Sequence, residues 1–168
     1  RFGVTGSFVD TSDLANVEKA MRPETKLVYV ESPANPTLKL CDIAAIAEIL
    51  ADYPDVPLIL DPVLSIGRGE THATDAMTHA LRDLLLPQTT IATPNGHELR
   101  LLAEQEDDED PSAADCAERL VSAGCEFVLV TGTHEGTRDI VNTLYGKGGV
   151  VRTDTWARLP GPFVGAGC

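Results

Sequence analysis

Short apolar runs alternate with amphipathic stretches along most of the chain. Apolar positions at helical spacing, each set preceded by a polar residue of the capping type, predict helices that begin after Asp13, Asp42 and Ser112. A further helix is predicted over residues 73–86, and another begins near Glu98. For the helix at 73–86 the predicted inner face consists of Met77, Leu81, Leu84 and Leu85.

Four runs of β-branched and apolar residues predict buried strands, because they are too short and too uniformly apolar for surface helices. They are Lys26–Glu31, Pro57–Leu60, Thr90–Ala92 and Phe127–Val130. Residues 139–145 and 150–156 predict a β-pair that turns at the glycines between them. Strands that alternate with helices indicate an α/β fold, here a three-layer αβα arrangement with a mainly parallel sheet. We expect Val28 to lie in the same sheet as the later strands.

The charge of the chain restricts its partners. Lys and Arg number 13 against 26 Asp and Glu, which gives a formal net charge of −13. This charge argues against nucleic acid or an anionic membrane as a partner, and it makes the binding of an anionic substrate dependent on a local cation or metal ion. The four cysteines are spaced irregularly and fit neither a zinc site nor a disulfide framework. We expect a cytoplasmic protein, and the sequence leaves its oligomeric state open.

Polar residues follow the predicted strands at their carboxyl ends. They are Asp61, Asn95, Thr131 and His134. Ligands of open α/β sheets bind beyond the carboxyl ends of the strands. The placement of these four residues predicts a binding site at this edge of the sheet.

From about residue 43 onward, four motifs in order resemble those of bacterial hydroxymethylpyrimidine and phosphomethylpyrimidine kinases, a branch of the ribokinase superfamily. The motifs are Leu58–Val63, Thr93–Glu98, Val128–His134 and Gly165–Cys168. The resemblance implies a ribokinase-like fold, ATP and Mg²⁺ as cofactors, and phosphorylation of a hydroxymethylpyrimidine or its monophosphate. The implied partners are therefore a nucleotide and a small pyrimidine.

The resemblance also implies roles for single residues. Asn95 and Glu98 match the Asn-x-x-Glu pair that orders Mg²⁺ and its waters, while a helix cap followed by an exposed glutamate is the alternative interpretation. Asp61, Thr131 and His134 match positions at the ATP site. A turn aspartate and a solvated loop histidine are the corresponding alternatives.

The last four residues match the anion hole and the catalytic cysteine of these kinases. Gly165, Ala166 and Gly167 would present backbone N–H groups to an oxyanion. Cys168 matches the residue that deprotonates or positions the substrate hydroxymethyl group. Because the sequence stops at Cys168, we expect a truncated kinase that binds Mg-ATP weakly and transfers no phosphate.

The first part of the chain resembles a different family. Phe2–Val4, Arg22–Lys26 and Glu31–Pro36 are similar to pyridoxal-phosphate (PLP) enzymes of Cys and Met metabolism, such as O-succinylhomoserine sulfhydrylase and cystathionine γ-synthase. Asn35 matches the asparagine beside their cofactor. No lysine lies in a matching Schiff-base motif, so we expect that PLP is not bound.

The two resemblances divide the chain into residues 1–42 and residues 43–168, joined within a helix over Asp42–Leu50 that suits both families. We interpret the chain as a chimeric product in which a PLP-enzyme fragment precedes a larger kinase fragment. Two alternatives stay open. In the first, the chain is a fragment of a PLP-dependent transsulfuration or sulfhydrylase enzyme. In the second, it is an inactive α/β module.

Overall fold

The structure is a computed structural model that describes residues 3, 5–32, 39–66, 70–71, 74–103, 111–132 and 136–160. The chain divides into two units, Arg1–Val56 and Pro57–Cys168. In the described ranges, none of the helices is both long and apolar enough to cross a membrane.

The first unit contains two short helices that pack on each other, α1 (Leu14–Ala20) and α2 (Ile43–Ala51). Each is capped by the predicted aspartate. Asp13 accepts a hydrogen bond from the N–H of Ala15 and Asp42 accepts one from the N–H of Ala45, both at 3.0 Å. Both helix predictions are confirmed. Their apolar faces supply the buried residues of this unit, namely Val17, Ile46 and Ala47.

The predicted strand over residues 26–31 is wrong, and so is the placement of Val28 in the sheet. No strand occurs between residues 5 and 32 of the described chain. Leu27 is 75% exposed and Tyr29 is 80% exposed. A strand needs a hydrogen-bonded neighbour, and the described part of this unit offers two helices but no strand for pairing.

The second unit is built on a five-stranded sheet in the order β1-β4-β5-β6-β7. Its strands are β1 (Ile59–Leu60), β4 (Ile91–Ala92), β5 (Phe127–Val130), β6 (Asp139–Gly146) and β7 (Gly149–Ala157). The first three run parallel, whereas β6 and β7 run antiparallel to their neighbours. The sheet is therefore mixed. A separate antiparallel pair is formed by β2 (Ser65–Ile66) and β3 (Glu70–Thr71).

Strand β1 is less buried than predicted. Leu60 is buried, but Ile59 is 60% exposed. β1 is the outermost strand of the sheet on its side, so it is less covered than the central strands β4 and β5. The expectation of a fully buried strand is therefore wrong at Ile59.

The described residues of the second unit form three α-helices: α3 (Asp75–Ala80), α4 (Gly96–Ala103) and α5 (Ala113–Ser122). α4 packs on α5, and α5 packs on β5 and β6. The core lies between these elements. Its fully buried large side chains include Leu64, Leu86, Leu99, Leu102, Leu120 and Val128.

The predicted inner face of the helix at 73–86 is wrong in part. Met77 and Leu84 are each 51% exposed, while Leu85 and Leu86 are buried. After α3, residues Leu81–Leu85 form a π-helical turn and Leu86–Gln88 form a 3₁₀ turn. A π turn adds a residue to the helical period, which rotates the following side chains away from the predicted face.

Helix α5 begins with a complete capping box. The hydroxyl of Ser112 accepts from the N–H of Asp115 at 3.2 Å, and Asp115 Oδ2 accepts from the N–H and hydroxyl of Ser112 at 3.1 and 2.6 Å. These hydrogen bonds from Ser112 lower the pKa of the Asp115 carboxyl group. The helix ends at Ser122, and Gly124 follows the C-cap with a φ of 117°, which is costly for residues other than glycine.

The capping box predicts acid sensitivity of α5. Because the pKa of Asp115 is lower in the folded chain, its stabilising effect is complete above the unfolded pKa of about 3.9 and is lost as pH falls below that value and through the lower pKa of the folded chain. Unfolding in urea at neutral and acidic pH should show this loss. Asp115→Asn should be less stable at neutral pH and show a smaller loss on acidification. An unchanged pH dependence in Asp115→Asn would contradict the assignment.

Gly132, two residues after β5, lies against the backbone of β6. A Cβ atom at Gly132 would lie 2.2 Å from the carbonyl oxygen of Val141, whereas a Cβ at Gly136 would meet nothing within 4 Å. We expect Gly132→Ala to destabilise the fold by about 1–3 kcal/mol, because backbone must move to accommodate the methyl group. Gly136→Ala, the matched control, should change the free energy of unfolding by no more than about 0.5 kcal/mol. Urea unfolding measures both, and equal stabilities would contradict this geometry.

Candidate functional site

The three parallel strands bring Asp61, Asn95 and Thr131 to one edge of the sheet. Asp61 directly follows β1, Asn95 follows β4, and Thr131 follows β5. The β1–β4 and β4–β5 pairs are both parallel, so their carboxyl ends lie side by side. The ladder continues past β4 and β5 through a parallel bridge between Asn95 and Thr131. Three of the four residues that the sequence predicts at this edge are therefore placed there, and the fourth, His134, lies outside the described residues.

Asn95 caps helix α4. Its Oδ1 accepts hydrogen bonds from the N–H groups of His97 and Glu98, both at 2.9 Å. Its side chain is buried, with 3% of the residue exposed. An amide oxygen has two lone pairs, and both are directed at backbone donors here.

Glu98 completes the cap by accepting a hydrogen bond from Asn95, and it also bonds to the segment after β1. Its Oε2 accepts from the N–H of Asn95 at 3.0 Å, and its Oε1 accepts from the N–H of Leu64 at 3.2 Å. Only 2% of Glu98 is exposed. The carboxylate therefore ties the segment after β1 to the start of α4. This long-range bond is not visible in the sequence pattern, which suggests an exposed glutamate as the alternative to a metal ligand.

Asp61 is exposed and held by its neighbour in the sheet. The hydroxyl of Thr93 donates to Asp61 Oδ1 at 3.0 Å, and the Thr93 N–H donates to the carbonyl of Leu60 at 2.9 Å. Among the described residues, Asp61 Oδ2 accepts no hydrogen bond. One carboxylate oxygen is therefore directed by the fold and the other faces solvent.

Thr131 lies at the end of β5, where its N–H donates to the carbonyl of Pro94 at 3.0 Å. The next residue, Gly132, donates its N–H to Asn142 Oδ1 at 3.0 Å. Arg158 brings a positive charge to the same end of β5, with its Nη2 at 3.5 Å from the Gly132 carbonyl and its Nε at 3.0 Å from the Thr137 carbonyl.

The sequence analysis did not identify Thr93, Asn142 or Arg158 as parts of this edge. Thr93 stands directly after β4 within a motif already noted, so its position gave a usable signal. Asn142 and Arg158 come from β6 and from the segment after β7, and only the hairpin brings them to the end of β5.

The donor set of this edge meets one requirement of Mg²⁺, which prefers hard oxygen ligands and keeps several waters. Asp61 offers an accessible carboxylate oxygen. Asn95 and Glu98 are buried, and their oxygens already accept backbone N–H groups. Within the described residues, no group of three or more His, Cys, Asp or Glu side chains is placed to hold a metal ion. An ion at this edge would therefore depend on Asp61, water and ligand oxygens.

The other predicted site residues lie outside the described residues. They are Asn35, His134, Gly165, Ala166, Gly167 and Cys168. Cys116 and Cys125 are core residues, 0% and 1% exposed. Burial raises the pKa of the Cys125 thiol, whose Sγ–H donates to the Phe127 carbonyl at 3.0 Å.

The first unit contains an open cleft of about 480 Å³. Asp10, one of its lining residues, forms an ion pair of 2.7 Å with Lys39, and this hydrogen bond holds the pKa of Asp10 well below its usual range. The other lining residues are Ser7, Phe8, Val9, Asn16, Lys19, Ala20 and Arg22. The cleft contains none of the predicted site residues.

Two family profiles match the sequence. The profile of phosphomethylpyrimidine kinase matches residues 39–168, and that of the Cys/Met metabolism PLP-dependent enzymes matches residues 1–70. The two matches overlap over residues 39–70, a range that contains α2 and β1. Both resemblances noted in the sequence are therefore confirmed.

The curated relatives that match include methionine and cystathionine γ-lyases. L-Methionine γ-lyase of Treponema denticola is 55% identical over 62 residues, which are 36% of this chain and 16% of that enzyme. Cystathionine γ-lyase of Bacillus subtilis is 49% identical over 61 residues, again 36% of this chain and 16% of the relative. The chain thus spans less than a fifth of the length of these lyases.

Solved structures of kinases match the larger part of the chain. Phosphomethylpyrimidine kinase of Clostridium difficile is 25% identical with a TM-score of 0.57, covering 84% of this chain and 57% of that protein. Pyridoxal kinase of Bacillus subtilis, solved as an ADP complex, is 23% identical with a TM-score of 0.57, covering 71% and 47%. The chain spans about half the length of these kinases, and the α/β ribokinase-like fold is confirmed. Since the kinase profile matches most of its length, the chain belongs to the phosphomethylpyrimidine kinase family.

Proposed function

We propose that the second unit binds a nucleotide with Mg²⁺ as a fragment of a hydroxymethylpyrimidine or phosphomethylpyrimidine kinase. The observation that carries the proposal is the juxtaposition of Asp61, Asn95 and Thr131 at the carboxyl ends of adjacent parallel strands. This is the edge at which α/β sheets bind ligands. The family membership supports the reaction class.

Each residue at the edge has a distinct task in this proposal. Asp61 holds the metal side of the nucleotide with its solvent-facing oxygen, while Thr131 and His134 line the nucleotide. Asn95 and Glu98 hold the loop and helix behind the metal and its water shell. Bound Mg²⁺ would neutralise charge on the phosphate oxygens. Arg158 adds a positive charge to a chain whose net charge is −13.

The transfer step is assigned to the last four residues of the sequence. The N–H groups of Gly165, Ala166 and Gly167 stabilise negative charge on the transferring phosphoryl group. Cys168 accepts the proton of the substrate hydroxymethyl group or positions that group for attack. A cytoplasmic location agrees with these roles, because Cys168 must stay reduced.

The division at residues 42 and 43 is proposed as a division of origin. The first fragment comes from a PLP-dependent lyase or synthase and the second from the kinase. A PLP-dependent function is the second candidate, favoured by the 55% identity to the methionine γ-lyase over 62 residues.

The nucleotide site is tested by titrating the full chain with ADP, with and without Mg²⁺. We expect Mg²⁺ alone to bind too weakly to detect, and Mg²⁺ to strengthen ADP binding, because the phosphates complete the metal's ligand set. Asp61→Asn keeps the acceptor for Thr93 but removes the charge, so it should reduce the effect of Mg²⁺ by about tenfold. Asp55→Asn, at an exposed aspartate of the first unit, is the control. Equal ADP affinity with and without Mg²⁺ in the unchanged chain would contradict the proposal.

Phosphate transfer is read separately as ADP release with hydroxymethylpyrimidine as substrate. Turnover that requires the pyrimidine and is lost in Cys168→Ala would assign the whole reaction to this chain. Nucleotide binding without such turnover would limit the assignment to the nucleotide site.

The role of Glu98 is tested through stability. Glu98→Gln replaces one acceptor oxygen by an amide NH₂, which leaves a buried backbone N–H without a partner. We expect a loss of about 1–3 kcal/mol in the free energy of unfolding. Glu118→Gln, an exposed glutamate on α5, removes the same charge and should have little effect. Equal stability of the two variants would show that the bonds to Leu64 and Asn95 contribute little.

The second candidate is tested by trapping with borohydride after addition of PLP. The lysines of the chain include Lys39, whose ammonium group is paired with Asp10 at 2.7 Å, and a protonated amine does not attack an aldehyde. We expect no stoichiometric pyridoxyl-lysine by mass spectrometry. A single modified lysine at one equivalent per chain would instead support the PLP-dependent function.

A further inference from the structure

Strand β7 forms an open edge of the five-stranded sheet. It is the last strand in the order and pairs with β6 along one side. Among the strands of the described residues, none pairs with its other side. Every residue of β7 except Asp154 is exposed. An unpaired edge of this length presents a row of backbone N–H and C=O groups that can pair with another strand.

The sequence of β7 is complementary to itself when two copies run antiparallel. With Thr153 opposite Thr153 of a second copy, Arg152 of each copy lies opposite Asp154 of the other. Directly opposed side chains of opposite charge stabilise antiparallel pairs, and so do Thr–Thr pairs. Within one chain Arg152 and Asp154 already form an ion pair of 2.7 Å, so both side chains lie on the same face of the sheet.

The regular register is confined to the middle of β7. Val150 pairs with Tyr145 and Arg152 pairs with Leu144, so the side chains of Val150 and Arg152 lie on opposite faces of the sheet. The register shift between Leu144 and Tyr145 makes Val151 the extra residue of a bulge in β7. The regular pairing is therefore centred on Arg152, Thr153 and Asp154, with a more twisted contact at each end.

We propose that two copies of this chain associate through β7, edge to edge and antiparallel, about a two-fold axis at Thr153. The contact is isologous, since the same surface is used by both copies. It joins two five-stranded sheets into one continuous sheet. The Arg152–Asp154 pairs set the register, and the two Thr153 residues face each other at the axis. The net charge of −13 per chain opposes association, so we expect a dimer that dissociates on dilution.

Charge reversal in the full chain tests both the contact and its register. Arg152→Asp and Asp154→Arg each place like charges opposite each other at both symmetry-related positions. Each variant alone should dimerise about tenfold or more weakly than the unchanged chain in sedimentation velocity. An equal mixture of the two variants should form heterodimers, because two carboxylates then oppose two guanidinium groups. The double variant Arg152→Asp/Asp154→Arg restores complementarity and should dimerise like the unchanged chain.

The matched control is Lys147→Asp in the turn before β7. It changes the net charge as Arg152→Asp does but lies outside the paired strand, so dimerisation should be unchanged. Circular dichroism verifies that each variant is folded. If a single variant is unfolded, the double variant decides, because it keeps the ion pair within the chain. A monomeric unchanged chain at every concentration, a monomeric double variant, or loss of the dimer in Lys147→Asp would overturn the proposal.

Discussion

The carboxylate of Glu98 is the group on which the strand edge depends. It accepts one N–H from the segment after β1 and one from the residue after β4, and it belongs to the helix that follows β4. Both bonds are inaccessible to water, so neither donor could find a substitute partner if the carboxylate were removed. The positions of Asp61 and Asn95 relative to each other are therefore set by this side chain together with the β1–β4 pairing and the Thr93–Asp61 hydrogen bond.

This role changes how the Asn-x-x-Glu motif is understood in this chain. The sequence offers two interpretations of the pair, a metal-ordering pair and a helix cap. The structure contains the cap, and the cap reaches beyond α4 to Leu64. The two interpretations are compatible if Asn95 and Glu98 do not bind the metal directly. As a cap, the pair fixes the segment that carries the accessible carboxylate of Asp61. The Asn95 Oδ1 atom already accepts two backbone N–H groups, so it can bind an ion only after a rearrangement of the cap.

Local signals in the sequence predicted the local structure well. Asp13, Asp42 and Ser112 cap the helices they were expected to cap, because capping depends on residues within one turn. The strands β4 and β5 and the hairpin also agree with prediction. The predictions fail where contacts between residues distant in the sequence determine the structure. Residues 26–31 have the composition of a strand but no partner strand among the described residues. The π turn at Leu81–Leu85 changes the helical periodicity, and no short sequence motif predicts such a turn. The hydrogen bond from the Leu64 N–H to the Glu98 carboxylate joins separate elements, so the spacing of residues in the sequence could not predict it.

Helix α2 shows that sequence ancestry and packing can assign one segment to different parts of a chain. Its sequence lies within both family matches, yet its contacts place it in the first unit, which ends at Val56. The helix requires only a capping aspartate and an apolar face with Ile46 and Ala47 at its centre. A segment with such modest requirements can serve as a graft point, since either parent could donate it without changing what its neighbours contact. Fusions between unrelated α/β enzymes should accordingly be sought in capped surface helices rather than in the loops that separate units.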